Sequence, residues 1–347
     1  MKIIFILTLT AYFSQAEVTF RSFQVQHKKK YSALELTRRE QIFNQNLIKI
    51  QKNNEKYRKG LVSYQMGINQ FSDLTEEEFS SRFKTLPLNN TKLKNVLTQD
   101  SNNFNISDLP ESIDWREKGI VTEVKDQGLC GACWAFSATG ALEGQLALNY
   151  KTLIPISEQQ LIDCDTKVNV GCDGGYIQEA LQFATTNGLT TEENYPYIQA
   201  RGYCRKWKKN VVRGGGYVNI LPYNETDLKL AVGLMGPVSV AIHSGPFQFY
   251  QSGIHSGAAC TDNVDHGVLV VGYGKNTSSQ EEYWLLKNSW GTSWGENGYF
   301  KLAMSKNNTG LCGIAKQSCY PINVTNCGYS LVQNVLVLGL VCIKLFF

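Results

Sequence analysis

A cysteine, a histidine and an asparagine stand where they could act together on an acyl group. Cys133 closes the run Cys130-Gly131-Ala132-Cys133-Trp134, a local pattern that marks a reactive thiol in some enzymes and is also compatible with two structural cysteines. The thiolate is the nucleophilic form, and a free thiol has a pKa of about 8.5, so the chemistry needs something that favours the anion. A helix N-terminus does so, and an imidazolium does so too. His266 opens one apolar run, and Asn288 closes another. If residues 266–273 and 283–288 form an antiparallel hairpin turning near Thr277, His266 and Asn288 fall opposite each other, with Cβ atoms about 4.5–5.5 Å apart. Asn288 would then hold the imidazole in its useful tautomer. Gln127 precedes Cys133 closely and carries the side-chain amide that an oxyanion hole needs, with the Cys133 N–H as second donor; loss of one such donor typically costs about 10²–10³ in rate. His27, His243 and His255 read as ordinary surface or core residues.

These groups need rigid elements behind them. Residues 133–150 carry Ala138, Ala141, Leu142 and Leu146 on one face, which predicts a buried helix beginning at Cys133. A second helix is predicted over 177–187, ended by Gly188. Val238–Ile242, Val268–Tyr273 and Tyr283–Lys287 read as strands separated by Gly-rich turns. Ahead of them, residues 17–108 are polar, charged and free of cysteine, and all ten cysteines come later. Such a break predicts two separately evolved units, joined by an Asn/Thr/Ser/Lys-rich linker from Asn89 to Asp108. Within the first unit, Glu35, Arg39, Phe43, Asn46, Ile50 and Asn54 recur at helical spacing, and Glu35 can pair with Arg39 one turn on. Gly67–Asp73 alternates like a short strand, after which Ser72 or Asp73 would cap a helix through Glu76–Phe79.

The chain of 347 residues is long enough for two or three compact units, and its 43% apolar content is that of a globular protein. A formal charge of +4 is too small to argue for a nucleic-acid partner. Lys2, the apolar run Ile3–Ala11 and Ser14-Gln15-Ala16 predict a secretory leader over residues 1–16. That route favours disulfides, and it agrees with Asn-x-Ser/Thr sequons at Asn89, Asn105, Asn224, Asn276, Asn307 and Asn323. The apolar stretch 331–347 is short for a spanning helix, which needs about 20 residues. Residues 323–347 therefore read either as a glycolipid-anchor signal, giving membrane attachment, or as an extension that is trimmed or packed on the surface.

Asp126-Gln127-Gly128, Cys130–Phe136, Asp265-His266-Gly267 and Asn288-Ser289-Trp290-Gly291 follow one another in an order and spacing that resemble the papain-like cysteine peptidases. The Glu35–Asn54 stripe resembles the ERFNIN pattern of their propeptides. Gly67, Asn69, Phe71 and Asp73 resemble the companion GNFD pattern, which points to the cathepsin L-like branch. The resemblance covers residues 20 to 322. It implies an α+β fold of two lobes, a helical left domain and a β-barrel-like right domain, preceded by a mainly helical propeptide. The expected boundaries are a signal peptide at 1–16, an inhibitory propeptide at 17–108, a peptidase domain at 109–322 and the extension at 323–347.

The resemblance further implies Cys133, His266, Asn288 and Gln127 as the catalytic set, with Trp290 shielding the His266–Asn288 contact. It implies disulfides Cys130–Cys172, Cys164–Cys204 and Cys260–Cys312. Cys319, Cys327 and Cys342 are left over, and a Cys319–Cys327 bond is one option. Gly174 and Gly175 resemble the segment whose backbone binds extended peptide. Tyr176, Ile177, Ala241, Val264 and Gln317 match the pocket for the second residue before the cut, with Asp265 beside it. An apolar pocket with a neutral Gln317 at its base predicts bulky hydrophobic residues there. No long insertion lies between Cys172 and Cys204, which favours endopeptidase action. The expected partners are protein and peptide substrates, the chain's own propeptide as intramolecular inhibitor, and cystatin-like inhibitors. No cofactor and no metal is expected. The implied setting is the secretory pathway, ending in a lysosome, an acidic vacuole or the extracellular space, with acid activation through Asp73 and its neighbours Glu76, Glu77 and Glu78. A catalytically dead binding relative would lack the nucleophile, and a free propeptide-like inhibitor would end before Cys130; this chain does neither.

Overall fold

The computed structural model describes residues 18–82, 97–98, 107, 109–207 and 209–327. The predicted leader, the apolar stretch 331–347, Cys342 and most of the predicted linker lie outside the described residues.

The N-terminal segment is mainly helical. Helix α1 (Phe20–Gln26) starts from a reciprocal Thr19/Ser22 cap, and α2 (Ala33–Arg58) starts where Ser32 Oγ accepts the Glu35 N–H. The stripe along α2 is a docking face. Phe43 packs with Phe20 and Phe23. Asn46 donates to the carbonyls of Ser72 and Leu74 at 3.0 and 2.9 Å, and Asn54 exchanges two hydrogen bonds with the backbone of Met66. The asparagines thus satisfy buried loop groups that have no ladder partner. Three expectations are corrected here. Arg39 does not turn to Glu35; its guanidinium reaches the less exposed Glu78 Oε2 at 2.6 Å and the Asp73 carbonyl at 3.1 Å. The strand is β1 (Tyr64–Met66), ahead of Gly67–Asp73. That segment turns because Asn69 Oδ1 accepts the Phe71 N–H and Ser72 Oγ accepts the Asn69 N–H. Finally α3 (Glu76–Ser80) is capped by Thr75 in a capping box with Glu78, so neither Ser72 nor Asp73 caps it.

The rest of the chain forms two lobes. The first holds α4 (Cys133–Tyr150), α5 (Glu158–Cys164) and α6 (Ile177–Asn187), the last closed by Gly188 at φ +71°. Helix α4 is apolar nearly all round because it is covered on every side, by helices on one flank and by the sheet on the other. Its Leu142 and Leu146 are fully buried, each contributing about 1.5–3 kcal/mol.

The second lobe is a ten-stranded sheet with α7 (Glu225–Leu234) packed on it. Its strands in chain order are β1, β2 (Leu97–Thr98), β3 (Ile113–Asp114), β5 (Tyr217–Asn219), β6 (Val238–Ile242), β7 (Tyr250–His255), β8 (His266–Lys275), β9 (Glu282–Lys287), β10 (Tyr299–Ala303) and β11 (Ser318–Pro321). They lie in the order β1-β7-β10-β9-β8-β6-β11-β5-β2, with β3 on β8. The N-terminal segment supplies both outer strands: β1 runs antiparallel to β7, and β2 runs parallel to β5.

The β8–β9 hairpin departs from the predicted register. Leu269 pairs with Lys287, and a bulge follows between Val270 and Gly272. Continuing that pairing sets Trp290, and not Asn288, opposite His266, because the turn falls later than Thr277. Three disulfides close Cys130–Cys172, Cys164–Cys204 and Cys260–Cys312. Cys319 and Cys327 do not bond to each other. Cys319 faces the core of the helical lobe, whereas Cys327 is exposed past β12 (Thr325–Asn326). That last strand pairs with β4 (Val212–Arg213), and Val324 is buried in the helical-lobe core, so the chain stays docked beyond Ile322. Among the described residues no helix is long and apolar enough to cross a membrane.

Candidate active site

Cys133 is the first residue of α4. The preceding Ala132 has no side-chain oxygen, so no side chain caps the first turn, and the positive end of the helix is available to a thiolate. The loop before it is pinned by the Cys130–Cys172 bond and by the Gly131 N–H, which donates to the Cys172 carbonyl at 3.0 Å. Gly131 has to be glycine, since a Cβ there would lie 2.6 Å from that carbonyl.

His266 is the first residue of β8 and fully buried. Its neighbour Gly267 brings the strand onto α4: a Cβ at 267 would lie 3.0 Å from the Cys133 carbonyl oxygen. Ser137 Oγ donates to the Val268 carbonyl at 2.7 Å, and Ser239 Oγ donates to the Ser137 carbonyl at 2.8 Å, stitching the helix to two strands. His266 Nε2 lies 2.8 Å from Asn288 Oδ1. An amide oxygen only accepts, so Nε2 carries the hydrogen. Trp290 stacks on the imidazole at 4.7 Å and 23°. Burial pushes the His266 pKa down to about 4, against the opposing pull of Asn288.

Gln127 is held on all sides. Its Oε1 accepts from Ser289 Oγ at 2.6 Å, its N–H donates to the Ser289 carbonyl, its carbonyl accepts from Tyr197 Oη at 2.7 Å, and Nε2 donates to the Cys130 carbonyl at 3.0 Å. One amide hydrogen is fixed in this way, and the second is the one that can meet a substrate oxygen.

Across the cleft, Gly174 has φ +114°, and a Cβ on Gly175 would lie 2.6 Å from the Trp134 ring. Asn169 Oδ1 accepts the Tyr176 N–H at 2.7 Å, fixing the segment that leads into Ile177. On the sheet lobe the Ala241 N–H donates to the Gln317 carbonyl at 3.0 Å, and Val264 packs against Gly313. The Asp265 carboxylate accepts the Ser244 N–H at 2.7 Å, and burial raises its pKa. Among the described residues no group of three or more His, Cys, Asp or Glu could hold a metal ion.

One constellation escaped the sequence reading. Behind Asn288 lies a cavity of about 20 Å³ walled in part by Lys125, Glu143, Glu158 and Lys287. Lys125 Nζ reaches Glu158 Oε1 at 2.6 Å and Glu143 Oε1 at 3.1 Å. Thr122 Oγ1 donates to Glu143 Oε2 and accepts from Lys287 Nζ. Burial raises the Glu158 pKa to about 7 and lowers that of Lys287 to about 8, while the two carboxylates raise Lys125 against its own burial. The available signal was Glu143, the single charged residue of α4.

The N-terminal segment covers the cleft. Phe71 and Phe79 meet Trp290 edge-on at 5.4 and 5.3 Å, and Gln70 Nε2 donates to the Trp290 carbonyl at 2.6 Å. Gln248 binds the carbonyls of Phe71 and Leu74. The Arg82 carbonyl oxygen would lie 3.2 Å from a Cβ on Gly131, two residues from Cys133.

The profile of the papain family cysteine proteases matches residues 109–322, and that of the cathepsin propeptide inhibitor domain (I29) matches residues 20–79. The chain belongs to the papain family of cysteine proteases. This protease is 43% identical over 316 residues to cathepsin L of Sarcophaga peregrina, covering 87% of its own length and 91% of that protein. It is 43% identical over 303 residues to human cathepsin L2, covering 85% and 89%. A solved structure, digestive procathepsin L 3 of Tenebrio molitor larval midgut, superposes with a TM-score of 0.77 at 41% identity, covering 87% of this chain and 97% of that one. The protease is a cathepsin L-like cysteine endopeptidase that acts through a thiol and carries an I29 propeptide domain. The two-lobed α+β fold is that of its structural neighbours.

Proposed function

We propose that Cys133 is the nucleophile, His266 its proton-transfer partner and Asn288 the group that orients the ring, with Gln127 and the Cys133 N–H as oxyanion donors. One observation carries this reading: Gly267 seats the first residue of β8 on the first residue of α4, while Asn288 holds the far ring nitrogen of His266. His266 takes the Cys133 thiol proton at Nδ1, the resulting thiolate adds to the scissile carbonyl carbon, and the carbonyl oxygen takes the electron pair between the two donors. Collapse expels the amine, which takes its proton from His266, and leaves a thioester. Water then attacks the thioester, giving its proton to His266, and Cys133 leaves as thiolate. A thiol-reactive activity probe should label Cys133 in the activated protease; labelling confined to Cys319 or Cys327 would discard the assignment.

Tyr176, Ile177, Ala241, Val264 and Gln317 form the pocket for the second residue before the cut, beside the peptide-binding backbone of Gly174 and Gly175. With no carboxylate at its base, this pocket should favour Leu, Val or Phe over Arg by about tenfold or more. A peptide-library profile dominated by Arg at that position would show that Gln317 has been misread.

Residues 17–108 act as the intramolecular inhibitor, and the contacts of Phe71, Phe79, Gln70 and Arg82 support this reading. Acid should release it. Burial acts against the Glu78 carboxylate, yet the Thr75 N–H and Arg39 hold its pKa below the usual range. A carboxylate depressed in the docked state stabilises docking above its free pKa, and that stabilisation is lost as pH falls through the docked value. The same docked segment holds the buried Asp73 cluster, in which Lys29 and Tyr31 donate at 2.9 and 2.6 Å. The precursor should stay intact at pH 7 and, near pH 4, gain activity with cleavage between residues 103 and 109. Equal processing at every pH would overturn this. A secretory route to an acidic or extracellular compartment is supported by the leader and the three disulfides, and cystatin-like inhibitors are candidate partners of the same cleft. Sequencing the mature termini tests the route, since a retained leader contradicts it, and shows the fate of residues 323–347.

A further inference from the structure

His255 is a buried imidazole that the catalytic chemistry does not use. It ends β7, the strand onto which the propeptide adds β1. Its ring is fully buried between Tyr64 of the propeptide, 4.1 Å between centroids, and Phe247 of the enzyme, at 4.6 Å. Gly253 lets the two strands close on each other here, since any Cβ would lie 2.4 Å from the Ser63 carbonyl oxygen. One ring nitrogen is committed: Nδ1 accepts the Gly257 N–H at 3.1 Å. The ring is therefore neutral, with its hydrogen on Nε2, and Nε2 is buried with no hydrogen-bond partner.

We propose that His255 is a proton-gated seat for the propeptide: the neutral ring receives Tyr64 and strand β1, and protonation expels them. This rests on the reading of residues 17–108 as an acid-released inhibitor, and it adds a gate on the enzyme side to the carboxylates on the propeptide side.

Protonation has two physical consequences at this site. The new proton goes to Nδ1, where it meets the Gly257 N–H and removes that hydrogen bond. It also places a full charge between two aromatic rings with no counter-ion. The titratable and charged groups on the packed elements are Tyr64 on β1, Tyr250 on β7 itself, and Tyr299 and Lys301 on β10, the Lys301 Nζ being tied to Glu296 Oε2 at 2.8 Å. None of them exerts a charge effect on the ring; burial alone lowers its pKa, to about 4. Removing β1 uncovers one face of the ring, so the released enzyme holds the proton more readily than the precursor does. By linkage, docking is strongest while His255 is neutral in both forms. It weakens as pH falls below the released enzyme's value, by up to about tenfold for each pH unit between the two pKa values.

Two measurements test the gate. In full-length precursor carrying Cys133→Ala to stop self-processing, histidine NMR should show His255 neutral down to about pH 5; titration at the ordinary value near 6.5 would overturn the proposal. In full-length precursor with an intact Cys133, His255→Phe keeps an aromatic seat that cannot titrate. Its activation midpoint should fall by about half a pH unit or more below that of the unchanged precursor, with the two alike at pH 7. An identical midpoint would overturn the gate while leaving acid release by the carboxylates standing. Full activity of the unchanged precursor at pH 7 would instead remove the inhibitor reading itself, and the gate with it. The NMR titration needs no change at position 255, so misfolding of His255→Phe leaves it decisive.

Discussion

Replacing Cys133 by alanine is expected to lower kcat by about 10⁴-fold or more while the precursor still folds and secretes. The side chain loses only its sulfur, at a position where α4 is fixed by other contacts. Leu142, Leu146 and Trp134 anchor the helix in its lobe, and Ser137 ties it to β8 and β6. Steady-state hydrolysis of a Leu- or Phe-containing peptide, measured beside a circular-dichroism melt, separates chemistry from folding. Turnover within tenfold of the unchanged enzyme, with an unchanged melt, would remove Cys133 from the mechanism. Asn288→Ala should fall between these limits, because Trp290 still stacks on His266 once the amide is gone.

The second large effect concerns stability. Lys125→Met leaves Glu143 and Glu158 buried beside each other, with only Lys287, reached through Thr122, to offset them. Breaking a buried ion pair on one side typically costs about 3–5 kcal/mol, enough to endanger a domain of ordinary stability. The loss should grow with pH. The Glu158 pKa is already raised in the fold, so the folded state binds the extra proton and stability falls as pH rises from the unfolded carboxylate value through about 7. Without Lys125 that slope steepens, and denaturant midpoints should differ more at pH 7.5 than at pH 5. Adding Glu158→Gln should recover much of the loss by removing one of the two charges. A Lys125→Met variant as stable as the unchanged protein at pH 7.5 would mean that water reaches these carboxylates.

Much of the fold was legible in residue spacing. The helix from Cys133 to Tyr150 and the one ended by Gly188 follow from apolar periodicity and a C-terminal glycine. The strand Val238–Ile242 has the boundaries expected from its β-branched run. What spacing missed is tertiary. The bulge after Val270 shifts the His266 hairpin, and no local pattern announces it; it lies where β3 pairs with β8 through Ile113 and Asp114. At Gly272 a Cβ would lie 2.1 Å from the Ile113 carbonyl oxygen, a contact made across 159 residues of chain. Helix α3 was expected to start at Ser72 or Asp73, because several residues in Ser72–Thr75 can cap. The choice fell to Thr75 because Asp73 is claimed by Lys29 and Tyr31. Nothing local marks His255, because its contact with Tyr64 forms only once the chain has folded back on itself.

The outermost strands of the sheet have a consequence for the order in which this molecule can be made. Strands β1 and β2 occupy opposite margins, and both belong to the part that maturation is expected to discard. An open margin is a row of unpaired backbone groups that invites another chain. While the polypeptide is being synthesised and oxidised in a crowded compartment, both margins are already taken by its own sequence. Once the cut is made they are bare together, on a body by then locked by three disulfides. The mature protein can therefore outlast conditions in which it could not form, and unfolding after maturation should be a one-way event.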